Sequence, residues 1–164
     1  MFKVPAMSRL LLLISSLTVC VGCWSEPAYH GKTAVEWGDQ LTGPGTTASH
    51  AQAARALARL GQSGLPVLTG ALESTDPDVR HQAALGILRM GTSAYTAAPT
   101  MAEALKDPDR KVRGIMAMAL GRLGPLARRQ MPALEKAQDD PDPAVSLRAR
   151  EAVARINWIK KFSP

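Results

Sequence analysis

The side chains in this 164-residue sequence whose type and spacing could do chemistry are arginines in register. Arg59, Arg89, Arg122 and Arg155 hold one position in four successive stretches, and Arg80 and Arg113 form a shorter second column. A guanidinium is a planar fork of donors that meets a carboxylate or phosphate through two parallel hydrogen bonds. A row of such forks is a basic strip for an acidic protein, an anionic glycan or lipid head groups. A second reading needs no ligand. Each residue of the longer column falls in the last turn of an expected helix, where a cation complements the macrodipole and can bond free carbonyls. The residues leave both readings open.

Other chemistry finds little purchase. His30, His50 and His81 share no ligand spacing with one another or with acidic residues, so no metal site is expected. The Asp-Pro-Asp clusters lack the glycine and distal glutamate of a calcium loop and suit helix capping better. No nucleophile elbow, phosphate loop or Cys–His pairing occurs, and neither an enzyme nor a cofactor is expected. Nor does the sequence point to a small-molecule substrate.

The elements that must position the arginines repeat every 33 residues. Asp76, Asp109 and Asp142 share one column, as do Val79, Val112 and Val145, then Ile87, Leu120 and Val153, then Met90, Leu123 and Ile156. Leu68, Met101 and Leu134 form another apolar column, and Pro66, Pro99 and Pro132 share the period. Such a period marks one supersecondary unit stacked on copies of itself. Each unit reads as a short helix opened by proline, a tight turn and a second helix of about twelve residues, roughly 18 Å long. Val112, Met116, Ala119, Leu120 and Leu123 lie on one stripe of that second helix. The three aspartates sit where an N-cap belongs. Gly91 and Gly124 follow the stripe as left-handed stops, and Asn157 holds the same column in the last unit.

The pattern P-x-L-x-x-A-L-x-D-P-D-x-x-V-R, followed by apolar residues and R-L-G, resembles the HEAT repeat. The short period is most similar to the bacterial subgroup named after phycobilisome lyase subunits. The likeness covers about residues 34–156 and is best in Pro99–Gly124. It implies an all-α fold, a right-handed α-solenoid of about four HEAT-like helix pairs, with a binding face and no catalytic residues of its own. The units are expected at about 33–61, 62–91, 92–124 and 125–157, within a domain of residues 33–157. The first lacks aspartate in its turn, Gly43-Pro44-Gly45-Thr46-Thr47, and places Val35, Trp37 and Leu41 on its first helix. Residues 158–164 carry Trp158, Ile159 and Phe162 and read as a cap over the end of the core.

The first 22 residues read as a leader rather than as structure. Lys3 and Arg9 precede the apolar runs Leu10–Ile14 and Leu17–Val21, too short to span a bilayer. They end in Cys20-Val21-Gly22-Cys23, which resembles a bacterial lipobox with Cys23 as the acylated residue, although Cys20 stands where leucine is usual. Cleavage there would leave a chain with no free thiol, tethered by residues 23–32. Trp24 follows in place of the aspartate that would retain it at the inner membrane, so the choice of membrane stays open. The net charge of +6 would fall to 18 basic against 14 acidic residues, and nucleic acid is not an expected partner of an exported, lipidated chain. The expectation is a non-catalytic, protein-binding scaffold lipid-anchored on the periplasmic side of a bacterial cell envelope. The alternative is an accessory subunit of an envelope enzyme or a lyase-like HEAT protein.

Overall fold

The computed structural model describes residues 26–158, and within them the chain is all-α. The leader, Cys23, Trp24 and residues 159–164 lie outside the described residues. Eight α-helices follow one another: α1 Ala34–Thr42, α2 Thr47–Arg59, α3 Leu65–Ala71, α4 Pro77–Met90, α5 Ala98–Glu103, α6 Arg110–Leu123, α7 Met131–Ala137 and α8 Pro143–Trp158. Short 3-10 turns, Gly61–Ser63, Gly91–Ala97 and Gly124–Gln130, carry the chain from α2 to α3, α4 to α5 and α6 to α7. No helix among the described residues is long and apolar enough to cross a membrane.

The even-numbered helices pack side by side, α2 on α4, α4 on α6 and α6 on α8, while each odd helix lies against the even one that follows it. Their shared seam is apolar. Leu57, Ile87 and Leu120 of the even helices and Leu68, Met101 and Leu134 of the odd ones are fully buried. Close approach between even helices depends on small residues. A Cβ on Gly121 would stand 2.9 Å from the Cα of Ala152 in α8. Met116 is buried and Met118, two residues on, is half-buried.

The helix starts follow the expected chemistry. Asp76, Asp109 and Asp142 accept from the backbone N–H groups of Asp78, Lys111 and Ala144 at 2.8, 2.8 and 2.9 Å. Pro77 and Pro143 open their helices, where the absent N–H would have had no partner. In the first unit threonines replace the aspartates. Thr33 and Glu36 cap α1 reciprocally, and Thr46 and Ser49 do the same for α2. The bond from the Thr33 N–H holds the Glu36 carboxyl below its ordinary value.

Three details differ from expectation. Gly91 and Gly124 have φ of 58° and 56°, but ψ of −131° and −128°, which is not the left-handed helical region. This mirror-image extended region is open to glycine alone, and it turns each chain directly into its 3-10 segment. Asn157 stays within α8, which runs to Trp158, and does not take the positive φ of Gly91 and Gly124. The tether expected through residue 32 is tied down from Tyr29, which exchanges backbone hydrogen bonds with Lys32 and accepts from Trp37 Nε1 at 3.0 Å.

Candidate functional site

The helix order sorts the turns onto two edges. The turns from odd to even helices lie along one edge, and the 3-10 turns from even to odd helices along the other. On the first edge stand the aspartate clusters, and on the second the last turns of α2, α4, α6 and α8 with their arginines. The two arginine columns therefore part company.

Arg80 and Arg113 belong to the aspartate edge and are half-buried. Arg113 Nε and Nη2 meet Asp140 Oδ2 and Oδ1 at 2.7 and 2.9 Å, while Nη1 donates to the carbonyls of Asp107 and Pro108. Arg80 repeats this one unit earlier, with Nε 2.9 Å from Asp107 Oδ2 and Nη1 on the carbonyls of Ser74 and Thr75. Each arginine thus ties its own turn to the next. The aspartate at the far end also accepts from a backbone N–H two residues on, at 2.7 Å for Asp107 and 2.8 Å for Asp140. The hydrogen bond from Arg113 holds the Asp140 carboxyl below the usual carboxylate range, and Asp140 in turn raises the Arg113 guanidinium. With side chains 14% and 7% exposed, this pair is a partly buried, bidentate clamp.

The clamp does not recur at the first and last of these positions. Ser146 holds the arginine position in the last unit and donates instead to the Gln138 carbonyl. His50 holds it in the first, 30 residues before Arg80. It is buried, its Nε2 lies 3.1 Å from the Gly43 carbonyl, and Nδ1 has no protein partner. The hydroxyl of Ser74, the position matching Asp107 and Asp140, correspondingly meets no cation from the preceding even helix and accepts from the Asp76 N–H. Sequence reasoning placed Arg80 and Arg113 with the binding candidates and passed over Asp107 and Asp140 as their partners. The signal was available: both columns share the period and lapse together at the ends.

A groove of about 580 Å³ lies between the last two turns on this edge, lined by Pro108, Asp109, Arg110, Arg113, Pro141, Asp142 and Pro143. Two of its arginines are engaged with aspartates. Arg113 holds Asp140, and Arg110 Nη1 stands 3.0 Å from Asp142 Oδ2. That exposed second pair holds the Asp142 carboxyl below its ordinary value.

The longer column behaves differently. Arg59, Arg89, Arg122 and Arg155 are all exposed. Arg122 Nη1 donates at 3.1 Å to the Leu88 carbonyl at the end of α4, which also accepts from the Gly91 N–H. This one guanidinium thus bonds a carbonyl of the neighbouring helix rather than of its own. No carboxylate lies in residues 59–64, 89–97, 122–130 and 155–157, where the even helices end on this edge, and these residues add Arg128 and Arg129. Both are exposed.

No family model matches this chain, and no curated protein matches it. Solved structures do. One is the crystal structure of an engineered protein from the Northeast Structural Genomics Consortium, with a TM-score of 0.60 and 22% identity, covering 75% of this chain. This chain spans 62% of that protein's length, and the likeness is one of fold alone.

Proposed function

We propose that this chain is a non-catalytic scaffold that binds another protein at a bacterial cell envelope, held there by lipid on Cys23. We read its helix pairs as a right-handed α-solenoid of HEAT-like units. The observation that carries the reading is the division of labour among its arginines. Two are consumed in clamps between units, while four in register remain exposed on the last turns of the even helices. A stacked array of helix pairs buries its core against its neighbours and leaves an extended face for contact. An exposed row of forks on such a face suits carboxylates on a partner.

Two experiments test it. Replacing Cys23 with alanine is expected to abolish acyl labelling and move the protein out of the membrane fraction, or leave the precursor uncleaved. Unchanged labelling would overturn the anchor. For the row, a pull-down from envelope extract with the mature protein is compared with a variant carrying lysine at positions 59, 89, 122 and 155. Lysine keeps the charge but loses the fork, so the captured partner is expected to be lost. Retained capture would assign the row to helix ends and solubility.

A further inference from the structure

Four large apolar side chains are exposed among the described residues: Val35, Tyr95, Leu126 and Leu147. Three of the four stand on the carboxylate-poor edge. Tyr95 and Leu126, 52% and 55% exposed, lie in the 3-10 turns Gly91–Ala97 and Gly124–Gln130. Val35 lies in the first turn of α1. That turn belongs to the same edge, because Gly38 of α1 packs on Val67 near the start of α3, and α3 begins directly after the turn Gly61–Ser63. Around these side chains stand Arg128, Arg129 and the exposed row of four arginines.

The path of the chain adds an independent observation. The segment before α1 is pinned to that helix through Tyr29 and Trp37, so the polypeptide preceding residue 29 departs from the neighbourhood of this edge. Glu36, the acidic residue in the first turn of α1, is engaged with Thr33 in the cap. Isolated apolar side chains and an aromatic with a polar tip, set among cations on one side of a protein, match the chemistry of a membrane interface. Anionic head groups attract each nearby cation, and apolar side chains enter the boundary beneath them.

We propose that this edge, through Val35, Tyr95, Leu126, Arg128 and Arg129, rests on an anionic lipid bilayer. The occupant of these turns is a lipid surface, and the four arginines on the helix ends beside them remain for the partner of the reading above. The opposite edge, with its aspartate turns and closed clamps, then faces away from the membrane. The inference refines the anchored-scaffold reading by giving the scaffold an orientation, but the lipid contact itself needs no acyl chain.

The test therefore uses a chain without Cys23. Residues 24–164 retain every described core side chain, from Trp37 to Ile156. This protein is sedimented with vesicles of neutral phosphatidylcholine and with vesicles containing about one-third phosphatidylglycerol, at low and high salt. Binding is expected only to the anionic vesicles, with release at high salt, where surface charges are screened. Replacing Arg128 and Arg129 with glutamine should weaken that binding about 30-fold, and Leu126→Ser should weaken it further. Replacing Lys106 and Lys111, on the opposite edge, with glutamine should leave it unchanged. Circular dichroism of each variant confirms that the helices remain. Absence of binding, equal binding to both vesicles, or equal loss from the two double variants would overturn the proposal. Failure here with intact acyl labelling at Cys23 would leave the anchor standing, and the converse result would leave the lipid-facing edge standing.

Discussion

The two edges carry the same residue type to opposite ends. On the aspartate edge, arginine is half-buried and doubly bonded, and its partner aspartate is itself capped. On the other edge, arginines stand in solvent with no carboxylate in the adjoining segments. What separates them is the neighbour that the turn supplies. A turn into an even helix needs an N-cap, so it brings aspartates. A turn out of an even helix needs a glycine with positive φ and favours cations near the carbonyl ends. Helix-end chemistry thus segregates charge along the helix axes.

The comparison can be broken most severely at the clamp. Replacing Asp140 with alanine leaves Arg113 partly buried without its partner and removes the acceptor for the Asp142 N–H. Loss of one member of such a pair should cost about 3 kcal/mol in chemical denaturation. A cost below about 0.5 kcal/mol would show that the clamp is ornamental. On the opposite edge the backbone, rather than the arginines, carries the strain. Gly124→Ala forces a side chain into φ of 56° and ψ of −128°, and should cost about 1–3 kcal/mol although nothing lies within 4 Å of the new Cβ.

Acid provides a gentler probe. The folded pKa of Asp140 lies below its ordinary value near 3.8. A depressed carboxylate contributes stability that is fully present above the unfolded value and is lost as pH falls through the folded one. Stability should therefore decline below about pH 4, and Asp140→Asn should flatten part of that decline. Urea melts from pH 7 to pH 2.5 check it. An identical acid slope in the variant would remove Asp140 from the account.

Much of this was legible in the residues. The capping aspartates, the valine and leucine columns and the turn glycines recur at fixed spacing, because each solves a local problem that every unit shares. The clamps were harder to see. Arg113 and Asp140 lie 27 residues apart, a distance that is neither the period nor a helical spacing, and they meet only when one unit stacks on the next. The conformation of Gly124 was missed because glycine announces positive φ without saying which ψ goes with it. The edge as a surface was invisible, because Tyr95, Leu126 and Val35 share no column and are gathered only by the fold.

The account rests on the claim that the two arginine columns do different work, and thermal melting of two lysine variants tests it most directly. One variant replaces the clamp arginines, Arg80 and Arg113. The other replaces Arg59, Arg89, Arg122 and Arg155. Lysine cannot reproduce the bidentate contact with Asp107 and Asp140, so the first variant should melt roughly 10 °C lower. Exposed lysines should serve the second edge nearly as well, with a change within about 0.5 kcal/mol, or roughly 2 °C. A row variant that melts as low as the clamp variant would contradict the division between a structural edge and a free one.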